Sequence, residues 1–227
     1  MTLYNEINDY FSKSPKNSKL LYGFSNINFS EYNDTYKSAL VYAVPHIKNM
    51  DIKNYKEDLL EQYIVQARSE INDIQNEIEN ILIKYSVKYV FPPITQKDEK
   101  DLIAPISFKQ LGIKAGIGWI GKNDLLITNE YGPRIRLGAV LMDYTFPLNN
   151  KLKENNCPDE CILCINSCPY KALKNIKWIN GIKRDEIINY KLCNAKRSLF
   201  AKKLGRKISC GYCMVSCFYG LKNNENN

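Results

Sequence analysis

Residues 157–169 read CPDECILCINSCP, and residues 210–217 read CGYCMVSC. The first stretch spaces Cys157, Cys161, Cys164 and Cys168 as C-x3-C-x2-C-x3-C, with Pro169 directly behind the last thiol. The second stretch repeats the closing half of that pattern, C-x2-C-x3-C, with Cys210, Cys213 and Cys217, and Cys193 stands alone between the two. All eight cysteines of the 227-residue chain therefore lie at or beyond Cys157. In a secreted protein an even count would suggest disulfides, whereas a reducing compartment favours metal or redox roles for thiols grouped this closely. The expected compartment is the cytoplasm. No run approaches the roughly 18 apolar residues of a membrane span, and Met1 to Tyr10 carries Glu6 and Asp9 where a signal peptide has a basic head and an apolar stretch.

The spacing supports a specific chemistry. In the bacterial run C-x2-C-x2-C-x3-C-P, three close thiolates bind one [4Fe-4S] cube and the fourth cysteine reaches across to a second cluster. By that geometry Cys157, Cys161 and Cys164 share one cluster with Cys217, while Cys168 joins Cys193, Cys210 and Cys213 on the other, and all eight thiols are used. Zinc and disulfides are the competing readings. Zinc sites usually pair two-thiol knuckles and give no reason for a proline after the fourth cysteine. The gap from Cys157 to Cys161 is one residue longer than the usual first spacing, so Cys157 is the least constrained of the expected ligands. The formal net charge is +8, from 32 Lys and Arg against 24 Asp and Glu. A cube with four thiolates carries about −2, so two clusters lower the total to about +4. Such an excess permits nucleic-acid binding without requiring it.

Upstream of the cysteines the composition is that of a folded chain. Hydrophobic residues make up 44% and charged residues 25%, with 16 tyrosines, which excludes wholesale disorder and collagen-like or coiled-coil composition. The length allows one core, or a core with a small appended module. An entry helix precedes the turn-like stretch from Ser12 to Lys19. Ser38 to Val44 (SALVYAV) reads as a buried strand halted by Pro45. From Asn54 to Tyr85 there is no Gly or Pro, and Tyr63, Ala67, Ile71, Ile74, Ile78, Ile81 and Tyr85 recur at steps of three and four. That is one long amphipathic helix, whose stripe faces either a sheet or a second helix in a coiled coil. Val87 to Phe91, Leu125 to Thr128 and Ile135 to Tyr144 read as further strands, the last two joined by a turn at Tyr131, Gly132 and Pro133. The expected fold class is α+β, with a first domain over residues 1–148, a double-cluster module over 149–220 beginning in the polar linker Asn149 to Asn156, and a disordered tail over 221–227.

Lys114 to Lys122 reads KAGIGWIGK, followed by Asn123, and Gly132 to Gly138 reads GPRIRLG. Together with the cysteine order, lone fifth cysteine included, these stretches resemble epoxyqueuosine reductase, the cobalamin and iron-sulfur enzyme of tRNA queuosine modification, and more distantly the reductive dehalogenases. The resemblance runs over roughly residues 20–220. It implies a nitroreductase-like, cobalamin-binding sheet domain followed by a ferredoxin-like module with two [4Fe-4S] clusters that feed electrons to cobalt for epoxide deoxygenation. On that reading Gly118 and Gly121, with Gly116, let backbone approach a corrin closely. Trp119 offers a stacking surface, and Lys122 and Asn123 bond corrin amides or the nucleotide-loop phosphate. The plainer reading of the same stretch is a glycine-rich turn with Trp119 in the core.

Two departures from the family pattern stand in the sequence. Aligned on Ala104 and Pro105, the position of the family's proton-donating aspartate holds Leu102, with Asp101 one residue off register, so no catalytic residue is assigned. The chain also stops about ten residues after Cys217, which reads as a short form without the family's C-terminal helical repeats. His46, the lone histidine, suits a lower cobalt ligand, a proton donor or a plain strand-end residue. Lys191 to Lys207 contains seven Lys and Arg and no acid, a run suited to tRNA phosphates or to an acidic flavodoxin or ferredoxin as external electron donor. The contrasting expectation is a cobalamin-free two-cluster electron carrier that docks a redox partner. No membrane role is expected.

Overall fold

The computed structural model describes residues 1–13, 17–93, 104–148, 155–195, 197 and 210–221. Contacts divide the chain into two compact units, each assembled from separated stretches. Unit 1 takes Met1–Pro45, Ala67–Ile117 and Ile135–Lys153, and unit 2 takes His46–Gln66, Gly118–Arg134 and Glu154–Asn227.

Unit 1 mixes helices with an antiparallel sheet. Strands β1 (Leu21–Asn26), β2 (Ser38–Pro45), β3 (Tyr89–Val90) and β6 (Ile135–Met142) form a sheet ordered β1-β2-β6-β3. β2 is central and buried from Ser38 to Val44, which explains why it reads as an unbroken apolar run rather than an alternating one. Its pairing with β6 sets Ser38 opposite Met142 and Pro45 opposite Ile135. One face of the sheet carries Leu40, Tyr42, Val44, Val140 and Met142 against helix α1 (Leu3–Lys13) and helix α2 (Glu57–Lys84). α1 buries Leu3, Ile7 and Phe11, one residue per turn. Helix α3 (Phe108–Lys114), N-capped by the Ser107 hydroxyl, packs against β1, β2 and β6.

α2 runs 28 residues without interruption, about 42 Å of helix at 1.5 Å per residue. Its stripe of Ala67, Ile71, Ile74, Ile78 and Leu82 is buried in the unit 1 core, so the periodicity serves the sheet packing named among its two readings. Ile81 and Tyr85 sit at the margin of that core and Leu82 takes the buried place. The helix stops where Ser86 adopts a left-handed conformation, φ 51°. The expected strand Val87 to Phe91 shortens to Tyr89–Val90, which pairs with the end of β6 at Met142 and Leu141. β1 and α3 lie in stretches that the sequence reading left unassigned.

Unit 2 is built around short elements. A two-stranded hairpin joins β4 (Trp119–Ile120) to β5 (Leu126–Ile127), and short helices occupy Leu163–Ser167, Arg184–Ile187 and Tyr212–Val215. The first ten residues of α2 belong here, where Leu60 and Ile64 pack with Met50, Met214 and Val215. Among the described residues no helix is long and apolar enough to cross a membrane.

Candidate functional site

The helix Leu163–Ser167 packs against the helix Tyr212–Val215, which sets the two cysteine motifs side by side. Cys164 rides on the first of these helices and Cys168 caps its end. Cys213 rides on the second, which starts from Gly211 at φ 74°. A side chain at Gly211 would also meet the Leu60 side chain, so a substitution here is strained on both counts.

One cavity is lined by Cys157, Cys161, Cys164 and Cys217, with Ile127, Leu163 and Phe218 as apolar wall and Lys122 and Asn123 as polar wall. Three of its thiols come from the first motif and one from the second. Cys168 does not line this cavity; it lies with Cys164, Leu173 and Ile188 in an apolar cluster against which Cys193 and Cys213 pack. The Cys210 thiol, raised chiefly by burial, also senses Cys193 and Cys168. All eight cysteines are free thiols.

Burial, reinforced by neighbouring cysteines, pushes the Cys164 thiol up to about 12 and the Cys217 thiol up to about 11, and drives Cys213 well above its ordinary value. Crowded, desolvated thiols of this kind are the donor set for a cationic iron-sulfur core, which binds thiolates and displaces their protons. The indole N–H of Trp119, in one apolar cluster with Cys157 and Cys217, has no hydrogen-bond partner among the described residues. It is a donor suited to a sulfur-rich neighbour. Among the described residues no three His, Cys, Asp or Glu side chains converge on a single metal ion. A cube places its four thiolates around a body of eight atoms instead.

The segment Gly118 to Asn123, expected against a corrin, is built into this site. Trp119, Lys122 and Asn123 are buried. Lys122 Nζ donates to the carbonyls of Asp159 (2.8 Å) and Cys161 (3.1 Å), and Asn123 Nδ2 donates to the carbonyl of Cys213 (3.0 Å). Trp119 meets Tyr219 edge-on at 5.0 Å. Any side chain on Gly118 would strike the Ile127 carbonyl, and one on Gly121 the Ile127 side chain. The glycines thus close the β4–β5 hairpin, and the three polar or aromatic side chains face the interior of unit 2.

Four residues of the site escaped the sequence reading. Arg134, fully buried, donates through Nε to Met50 (2.8 Å) and through its two terminal nitrogens to Tyr219 (2.8 Å), Val215 (3.1 Å) and Cys217 (2.7 Å), all carbonyls. Burial pulls its guanidinium down to about 10, so it is a cation at neutral pH. Asn155 Nδ2 bonds the Ile120 carbonyl at 3.0 Å, Tyr55 donates its hydroxyl to the Cys210 carbonyl at 2.6 Å, and Tyr219 does the same to Asn156 at 2.6 Å. Arg134 carried one available signal, a charged residue between a turn proline and an apolar strand. His46 is buried, its backbone amide donating to the Arg134 carbonyl at 2.9 Å. Asp101, Leu102 and most of the basic run, residues 196 and 198–209, lie outside the described residues.

No family model matches the chain. Over 115 residues it is 30% identical to the epoxyqueuosine reductases of Yersinia pestis and Vibrio cholerae, a stretch that is 50% of this chain and 28% and 31% of those proteins. The chain resembles the epoxyqueuosine reductases. It spans less than a third of their curated length in that alignment. The structure of the epoxyqueuosine reductase from Streptococcus thermophilus covers 95% of this chain and 66% of its own, with a TM-score of 0.59 at 17% identity. Another epoxyqueuosine reductase, solved with an epoxyqueuosine-modified tRNA stem loop, covers 96% of this chain and 66% of its own, with a TM-score of 0.58 at 15% identity. A catabolic reductive dehalogenase, solved with 3-bromo-4-hydroxybenzoic acid, covers 88% of this chain and 30% of its own, with a TM-score of 0.64 at 13% identity. The fold is therefore one that epoxyqueuosine reductases and a reductive dehalogenase share.

Proposed function

We propose that this chain is an iron-sulfur oxidoreductase of epoxyqueuosine reductase type, with two [4Fe-4S] clusters held by Cys157, Cys161, Cys164 and Cys217 and by Cys168, Cys193, Cys210 and Cys213. The observation that carries the reading is the cavity whose four thiols come three from one motif and one from the other. The antiparallel sheet with helices packed on it supports a nitroreductase-like first domain, and the paired cysteine helices support a ferredoxin-like second one. The compartment proposed is the cytoplasm, where thiols stay reduced.

The reaction proposed is epoxide deoxygenation. Two electrons and two protons convert the epoxide to an alkene, and its oxygen leaves as water. Each cluster passes one electron at a time from an external flavodoxin or ferredoxin, and the leading substrate is epoxyqueuosine in tRNA, with a smaller epoxide as the variant. Asp101 stands one residue from the position of the family's proton donor, and general acid catalysis is worth about 10² to 10⁴ in rate. A corrinoid, which the resemblance implies, would supply a low-valent cobalt as the two-electron reductant. Trp119, Lys122 and Asn123, the residues proposed to contact it, also serve the interior of unit 2, where Lys122 and Asn123 line the thiol cavity and bond loop carbonyls. That commitment favours a second reading, a cobalamin-free two-cluster carrier that docks a redox partner.

Anaerobic reconstitution tests the first step: about eight irons and eight sulfides per chain are expected, and bound zinc without labile sulfide defeats the reading. Cobalamin added to the reconstituted protein then separates the two functions. Shifted cobalt absorption bands followed by queuosine from epoxyqueuosine-containing tRNA establish the reductase, and unshifted bands at excess protein establish the carrier.

A further inference from the structure

Lys122 and Arg134 are both buried, at 4% and 0% exposure, and both come from the stretch Gly118–Arg134. Among the described residues neither hydrogen-bonds a carboxylate. Lys122 spends its ammonium on the carbonyls of Asp159 and Cys161, and Arg134 spends four bonds on those of Met50, Val215, Cys217 and Tyr219. Asp51 acts on Arg134 and Asp159 on Lys122 only through space, Asp159 being exposed and paired with Lys177. Burying two cations without a directly bonded counter-charge is expensive, and two beside one cavity call for an anion of matching size. Lys122 also lines the cavity of Cys157, Cys161, Cys164 and Cys217, while Arg134 grips the backbone of Cys217 itself. The two grips divide the work: Lys122 holds the loop bearing Cys157 and Cys161, and Arg134 holds the turn that brings Cys217 across from the second motif.

We propose that Lys122 and Arg134 are positioning residues that balance the charge of the cluster held by Cys157, Cys161, Cys164 and Cys217 and raise its reduction potential. This rests on the cluster reading above. A cube with four thiolates carries about −2, which two fixed cations match. Reduction adds one further negative charge, so nearby cations favour the reduced state. The second set of thiols has different company. Its cations among the described residues are Arg197, which acts on Cys193 and Cys210, and Arg184, which is partly exposed and paired with Asp124 at 2.8 Å. Lys122 and Arg134 hydrogen-bond none of its four cysteines, so their effect is confined to one cluster.

The test is an EPR-monitored redox titration of the reconstituted full chain with iron counted in parallel. Lys122→Met and Arg134→Gln are expected to make one of the two midpoint potentials more negative by about tenfold in the one-electron equilibrium, which is about 59 mV, and to leave the other unchanged. In a Cys217→Ser background, which retains only the second cluster, Lys122→Met should shift nothing. Unshifted potentials in neutralised variants that keep eight irons overturn the proposal. Should those variants fail to hold the first cluster, Lys122→Arg and Arg134→Lys decide. Retention of about eight irons at the wild-type potential supports charge compensation, and loss of the same cluster despite the preserved charge overturns it. A wild-type chain that takes up no iron defeats the cluster reading itself, an outcome distinct from either.

Discussion

A methyl group on Gly118 would meet the carbonyl oxygen of Ile127, the residue paired with Trp119 across the β4–β5 hairpin. That contact is with backbone, which cannot swing aside, so Gly118→Ala should destabilise the protein by about 1–3 kcal/mol. Urea unfolding of the cluster-free chain measures it, and a midpoint equal to wild type would mean the hairpin relaxes freely. The same residue shows why the glycine pattern was ambiguous as a sequence. Close approach to a corrin and close approach to another strand both require a missing side chain. Lys122 and Asn123 were ambiguous in the same way, because an ammonium and an amide bond loop carbonyls as readily as ligand groups. The carbonyls they bond in the structure, those of Asp159, Cys161 and Cys213, lie 37 to 90 residues away in the chain. Arg134 is the opposite case. Its fork satisfies four carbonyls from residues 81 to 85 positions distant, and nothing in the local string GPRIRLG announces that.

At the scale of elements, the long and strongly periodic pieces were legible. α2 follows from an absence of Gly and Pro over residues 54–85 and from apolar steps of three and four. Its packing direction is testable at Ile78, which is fully buried against the sheet core with Leu40 and Val140. Ile78→Ala should cost about 2–5 kcal/mol through lost burial and a residual cavity, read as a lowered unfolding midpoint. A loss below about 1 kcal/mol would place the stripe outside the core. The strand β2 was legible for a related reason, since burial on both faces demands an uninterrupted apolar run. β1 was not, because Leu21–Asn26 reads LYGFSN, with a glycine and two polar residues among its six. Gly23 sits there because any side chain would strike the carbonyl of Ala115, just after α3. β4 and β5 are two residues each, too short for any periodicity to declare itself.

At the scale of the molecule, the arrangement proposed is a crossing of ligands between two motifs roughly 50 residues apart. Cys217→Ser should therefore empty the site that the first motif dominates, and Cys168→Ser the site that the second dominates. Each variant should retain about four of eight irons. Iron analysis with EPR of the surviving cluster checks this, and two variants that lose the same cluster would end the crossed assignment. The proposed crossing is legible in the sequence because cubane geometry is a property of the metal group, and three thiols within eight residues leave a fourth corner to be filled from elsewhere. By itself, then, the sequence determined the central strand, the long helix, the spacing of the eight cysteines and the likeness to epoxyqueuosine reductases. Each of these is written in local spacing, where the 3.6-residue helical period, the demand of a buried strand or the reach of a thiolate acts over a few positions. Only the tertiary structure decided that Gly118–Arg134 sits in one unit with the cysteines, that Lys122 and Asn123 brace cysteine loops, and that Arg134 ties down the turn carrying Cys217. Hydrogen bonds to backbone carbonyls leave no mark on the identity of the residue that accepts them, so that half of the site is recorded in the fold alone.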